Sequence, residues 1–142
     1  MNQFEYPVSL AQAKDGGHVV TCRDLPELVT QGEDLHDALA EAADAMAEAF
    51  AYRISDGLDF PQPSKARRGE HLVSPPAEIA AKAALYIAMR EANVTKTELA
   101  KRLGVDEKEV RRLLDPHHQS RLPRIAQAVQ ALGRRLRIEL AA

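Results

Sequence analysis

The spacing of apolar residues changes near residue 32, and that change limits the folds open to this chain. Before it, Phe4, Tyr6, Val8 and Leu10 fall on alternate positions, the period of a half-buried strand. After it, Leu35, Ala38, Leu39, Ala42, Met46, Ala49, Phe50 and Ile54 recur at intervals of three and four, the stripe of a helix that buries one side. Strands that lead and helices that follow make an α+β chain.

Turn chemistry subdivides the strand region. Asp15-Gly16-Gly17 tolerates positive φ between the first run and the β-branched run 18–22, which predicts a hairpin. In Asp24-Leu25-Pro26-Glu27, Pro26 has no N–H for a ladder, so residues 28–31 are expected as a third short strand before Gly32. Asp34 is the expected N-cap of the helix, which should stop near Gly57. Residues 58–76 shift to Pro, Ser, Lys and Arg, a linker composition in which His71-Leu72-Val73 is a candidate return strand.

From there the pattern is helical. Ser74-Pro75-Pro76 starts a helix over 77–92, with Ile79, Ala83, Tyr86 and Ile87 along one side. Two short helices, 95–103 and 106–114, flank Gly104, and Leu122, Ile125, Ala126, Val129 and Leu132 form a last stripe closed by Gly133. Leu136, Ile138 and Leu140 then alternate with Arg135, Arg137 and Glu139, a strand pattern that needs a mate, and a two-fold related second chain is an economical one. The expected organisation is a β-β-β-α(-β) domain over 1–60 with the strand 71–73 returning to it, a linker over 61–75, and an all-α domain with a terminal strand over 76–142 that dimerises.

The net charge of −2 over 142 residues conceals a split. Residues 1–60 carry 3 Lys+Arg against 12 Asp+Glu, whereas 61–142 carry 16 against 9. An acidic half suits a basic protein partner, and a basic half suits nucleic acid. The acidic ridge Asp37, Glu41, Asp44 and Glu48 lies at helical spacing opposite the apolar stripe. No long apolar run and no cationic leader precede the first strand, so the chain reads as cytoplasmic and not membrane-spanning. The one cysteine, Cys22, can form no internal disulfide and reads as a small strand residue.

Residues 96–115 match the helix-turn-helix pattern. Two short helices that cross steeply need a small residue at the crossing (Ala100), a positive-φ residue at the turn (Gly104) and apolar filling (Leu99, Leu103, Val105, Val110, Leu113). With Val110, Leu113 and Leu114 inward, Glu107, Lys108, Arg111 and Arg112 face outward on the second helix. Lys108, Arg111 and Arg112 can donate to guanine edges or phosphates, and Glu107 can accept from cytosine, although Glu107 and Arg111 can also simply pair at i, i+4. Thr95, Lys96 and Thr97 open the first motif helix, where hydroxyls and N–H groups suit a phosphate. Arg121 and Arg124 are candidate backbone clamps.

The residues fit catalytic and metal chemistry less well. His117-His118 beside Asp115 has no further ligand at metal spacing. Asp15, Asp24, Glu27 and Asp34 each have a duty in a turn or cap, which argues against the converging carboxylates of a two-metal nuclease. No enzyme activity, metal or cofactor is therefore expected. A repressor whose first domain senses a small ligand remains an alternative.

The run Tyr6-Pro7-Val8, Asp15-Gly16-Gly17, Asp24-Leu25-Pro26-Glu27-Leu28, Thr30-Gln31-Gly32, the alanine-rich helix with Asp37-Ala38-Leu39, and Phe60-Pro61-Gln62-Pro63-Ser64 resembles the HicB antitoxins. The resemblance implies a partial, catalytically dead RNase H-like domain that binds and blocks a small basic mRNA-cleaving toxin of the HicA type. It also implies a DNA-binding second domain, here of the Cro/repressor type, that represses the pair's own promoter as a homodimer or tetramer. The family offers no fixed toxin-contact motif, so Asp15, Asp24, Glu41 and Glu48 are candidate toxin contacts from charge alone.

Overall fold

A computed structural model describes residues 4–141. The chain divides into two compact units, Met1–Ala80 and Ala81–Ala142. The order of elements is β1 (Tyr6–Gln12), β2 (His18–Thr21), β3 (Val29–Gly32), α1 (Leu35–Asp56), β4 (His71–Val73), α2 (Ala77–Ala92), α3 (Lys96–Leu103), α4 (Glu107–Leu114) and α5 (Leu122–Ala131). The α+β reading holds: an antiparallel four-stranded sheet with one helix, followed by helices only.

In unit 1 the sheet order is β3-β2-β1-β4. The expected hairpin forms, with Ser9 opposite Thr21 and Gln12 opposite His18, and the candidate strand at 71–73 returns to β1 with Tyr6 opposite Val73. Pro7 is tolerated inside β1 because Tyr6–Val8 pair with β4 while β2 joins the strand only from Ser9 onward. The alternation places Tyr6, Val8 and Val20 in the core, where they meet Ala38, Ala42, Met46, Ala49 and Phe50 of α1. Phe50 is the hub: its ring lies 5.8 Å from Phe4, 6.0 Å from Tyr6 and 4.8 Å from Phe60. Leu35, expected at the head of the apolar stripe, is instead exposed in the first turn of α1.

Asp34 caps α1 by accepting from the Asp37 N–H at 2.8 Å, and the Asp37 carboxylate accepts from the Glu33 N–H at 2.8 Å. Gly32 joins β3 to this cap at close quarters. A Cβ there would sit 2.4 Å from the Ala38 nitrogen, so the third residue of Thr30-Gln31-Gly32 has to be glycine.

The stretch expected as a linker over 61–75 is in large part tied to the sheet domain. Tyr6 Oη donates to the Pro61 carbonyl at 2.7 Å, and the Asp24 carboxylate accepts from both the N–H and the hydroxyl of Ser64. Arg23 forks onto Glu70 with two 3.0 Å bonds and also donates to the Lys65 carbonyl, while the Arg67 N–H donates to Glu70. Its proline-rich composition removes helix as an option without freeing the segment, because bonds to side chains stand in for a ladder. Arg23 holds the Glu70 carboxyl down at about 2, and burial pushes the Tyr6 phenol up to about 12.

Unit 2 is built from helices with explicit ends. α2 finishes at Asn93, which adopts φ 54, and the Val94 N–H returns to the Met89 carbonyl at 3.0 Å. Thr95 caps α3 by accepting from the Glu98 N–H, and Asp106 caps α4 by accepting from the Glu109 N–H. Leu85, Leu99, Ala100, Val110, Leu113, Leu114, Ile125, Ala128 and Val129 are buried.

The terminal strand expected over 136–140 is not formed: residues 134–141 have no regular secondary structure. A strand draws its hydrogen bonds from a neighbour, and a single chain offers this segment none. Among the described residues no helix is long and apolar enough to cross a membrane.

Candidate functional site

The α3–α4 pair carries most of the residues singled out for chemistry. The two helices are joined through Gly104, Val105 and Asp106, with Gly104 at φ 68 and the Val105 N–H donating to the Ala100 carbonyl at 3.0 Å. A Cβ at Gly104 would meet nothing within 4 Å, so what demands glycine is the left-handed backbone and not space. Leu99, Ala100, Val110 and Leu113 are buried and Leu103 and Val105 are half-buried, as two helices sharing a small apolar angle require.

With that side of α4 committed inward, Lys108, Arg111 and Arg112 stand exposed on the other and Glu107 is half-buried. Glu107 is spoken for on both oxygens: Thr97 Oγ1 donates to one at 3.0 Å and Arg111 to the other at 3.2 Å. Thr97, predicted beside a phosphate, thus braces α3 to α4, and Glu107, predicted as a base reader, orients Arg111. Arg112 lies 3.7 Å from Glu109. Thr95 spends its hydroxyl oxygen on the α3 cap, while Lys96 beside it is exposed. Arg121 precedes α5 as an exposed residue that makes no side-chain cap. Lys96, Lys108, Arg111, Arg112 and Arg121 are thus all presented to solvent by unit 2.

One contributor escaped the sequence reading. Lys82 of α2 is only 1% exposed, and its ammonium donates to the carbonyls of Arg112 (2.9 Å) and Leu113 (3.2 Å) and to Ser120 Oγ (2.8 Å). A cation buried at the C-terminal end of α4 complements the helix dipole and adds a donor to its last carbonyls, of which that of Arg112 also accepts from the Asp115 N–H and from Ser120 Oγ. The signal was present in the sequence: Lys82 falls three residues after Ile79 and four before Tyr86, on the stripe that enters the core.

In unit 1 the acidic candidates separate. Asp15 is exposed in the β1–β2 turn, and Glu41 and Glu48 are exposed on α1. Asp24 is half-buried and committed to Ser64, which makes it a brace for the 61–70 segment. Glu27 is likewise paired to Arg53, with one bond of 2.9 Å. Cys22 is buried just after β2, and that burial pushes its thiol pKa up, away from the thiolate that a nucleophile needs. Asp115 accepts from the His117 N–H at 2.9 Å and so closes the turn after α4.

A family model described as "HicB_like antitoxin of bacterial toxin-antitoxin system" matches residues 5–84, which hold the whole sheet and α1. Relatives extend the likeness over the helical unit. The chain is 35% identical over 133 residues to Antitoxin HicB of Escherichia coli K12, covering 94% of this chain and 96% of that protein. It is 31% identical over 140 residues to Antitoxin HicB 1 of Photorhabdus laumondii, covering 99% and 89%. Antitoxin HicB of Pseudomonas fluorescens is 34% identical over 140 residues, covering 98% and 95%. On both counts the chain belongs to the HicB-like antitoxin family.

Proposed function

We propose that this antitoxin works by two binding surfaces, one for each unit. Unit 1 holds and blocks a small basic mRNA-cleaving toxin of the HicA type, and unit 2 represses the pair's own operon by placing α4 of a helix-turn-helix in the major groove. The chain acts as a homodimer and without a catalytic step, since Asp24, Glu27 and Asp34 are each committed to structural bonds.

The observation that carries the DNA reading is the two-sidedness of α4. Val110, Leu113 and Leu114 are buried, and Lys108, Arg111 and Arg112 are presented on a helix locked by a cap at one end and by Lys82 at the other. A rigid helix with a basic outer face can meet base edges and phosphates together, and a two-fold dimer would set two such helices on two half-sites. Lys96 and Arg121 are placed here as phosphate contacts. The toxin reading is supported by family membership and by the exposed Asp15, Glu41 and Glu48, whose charge would attract a basic partner.

The test separates the surfaces. Replacing Arg111 and Arg112 with Ala is expected to weaken operator binding at least tenfold in a gel-shift titration while the co-expressed toxin still co-purifies. Unchanged operator affinity would remove α4 from the interface, and loss of both bindings would end the division of labour.

A further inference from the structure

The outer face of α4 carries three basic side chains, and the fold holds them differently. Lys108 makes no hydrogen bond or ion pair among the described residues. Arg112 lies 3.7 Å from Glu109, outside hydrogen-bond reach. Arg111 ends a chain of bonds that begins on another helix: Thr97 Oγ1 of α3 donates to Glu107 Oε2 at 3.0 Å, and Arg111 Nη1 donates to Glu107 Oε1 at 3.2 Å. Thr97 and Glu107 both lie in the first turn of a capped helix, α3 by Thr95 and α4 by Asp106, so the backbone beneath each of them is fixed as well.

That restraint decides what Arg111 can offer. An exposed Glu–Arg pair one turn apart is worth little alone, because two long side chains must give up their freedom to keep it. Here Thr97 already holds the carboxylate, so a ligand has less freedom to take away. With Nη1 occupied, the guanidinium keeps an Nε–H and an Nη2–H, a parallel pair of donors that fits guanine O6 and N7. The same fork fits two phosphate oxygens, and the carboxylate decides between these ligands. Glu107 places a negative charge on the side that would face a polyanion, which weakens any contact to phosphate. A base edge carries no net charge, so there the carboxylate costs less and supplies orientation.

We infer that Thr97 and Glu107 are positioning residues that hold Arg111 for a guanine edge. Arg111 then carries discrimination between bases, while Lys108 and Arg112, which are not held in this way, carry attraction to phosphate. The inference rests on the proposed docking of α4 in the major groove and adds which of its side chains reads sequence. It also has Glu107 act through Arg111 and not as an acceptor from cytosine.

The test compares the full-length chain on a promoter fragment from its own operon and on a scrambled duplex of the same length, by fluorescence anisotropy at one salt concentration. In Glu107→Ala the ratio of the two affinities is expected to fall about tenfold, while affinity for the scrambled duplex rises because a negative charge has left the surface. That rise also shows that the variant folds. Thr97→Val changes no charge and should lower the ratio in the same direction by about threefold, and Thr97→Ser should restore it. Arg111→Lys loses the fork but keeps the charge and should lower the ratio as far as Glu107→Ala does, with no further fall when the two are combined. If Arg111→Lys lowers the ratio and the Glu107 and Thr97 variants do not, the positioning role is overturned and α4 stays in the groove. If Glu107→Ala lowers it and Thr97→Val does not, Glu107 reads a base directly and the inference also fails. Promoter affinity unchanged in both Arg111→Lys and Arg111→Ala would overturn the docking of α4 itself.

Discussion

In unit 1 the ties reach far along the chain: Tyr6 to Pro61, Asp24 to Ser64, Arg23 to Glu70 and Arg53 to Glu27. In unit 2 the commonest ties span one turn of helix: Thr95 to Glu98, Asp106 to Glu109 and Glu107 to Arg111. Long-range ties close large loops and act only once the fold is nearly complete, whereas caps and i, i+4 pairs act as soon as a helix forms. The unit proposed to bind the toxin is thus held by its own tertiary bonds, and the unit proposed to bind DNA by helices with well-defined ends, with Lys82, Arg102 to the Ala131 carbonyl and Arg134 to Glu91 as long-range exceptions.

The core of unit 1 depends most on Phe50. Phe50→Ala removes the ring on which Phe4, Tyr6 and Phe60 converge and is expected to cost unit 1 about 3–5 kcal/mol, most of what a small domain has. Hydrogen exchange should show protection lost in β1, β2 and α1 while the amides of α3 and α4 keep theirs. Loss in both units together would show that their stabilities are not separate.

A smaller effect sharpens the other side. Lys82→Met fills the same volume but leaves the Arg112 and Leu113 carbonyls without their cation, for an expected loss of about 1–3 kcal/mol. Exchange should rise first at the end of α4, and operator affinity should fall although no side chain of the proposed DNA face has changed. Unaltered exchange there would make Lys82 incidental.

The smallest effect is a pH dependence confined to unit 1. Because Glu70 is held at about 2 in the folded chain and titrates near 4.5 when unfolded, its ionised form stabilises the fold above about 4.5. That contribution drains away as pH falls from there through about 2. Thermal unfolding of the parent should therefore weaken more steeply over this window than that of Glu70→Gln, with the two curves meeting at the acid end. Parallel curves would show that the Arg23–Glu70 fork contributes nothing.

Legibility followed the same divide. The three-and-four stripe and the capping residues located α1 through α5 closely, because a helix is decided by residues within one turn of each other. Gly104 could be read for the same reason, since one left-handed residue between two short helices leaves a local mark. The segment 61–70 has the prolines and charges of a free linker, and its remote partners, among them Tyr6, Arg23 and Asp24, anchor it. Glu107 and Thr97 were legible as polar and outward but not as partners of each other, a pairing that depends on how α3 meets α4. Lys82 lies on the core-facing stripe of α2, yet a lysine in an alanine-rich helix reads as solvated until its acceptors, thirty or more residues away, are in place.

Up to α5 the sequence by itself determined the element types and their order, the ends of the helices and the opposed charge of the two halves, all of which follow from local propensity and from counting. Tertiary structure alone decided which side chains are spent holding the fold and which remain for partners: Asp24 against Asp15, Glu107 against Lys108, Lys82 against Lys96. The reason is that a charge is committed or available according to the neighbours that folding brings to it, and those neighbours are distant in the chain.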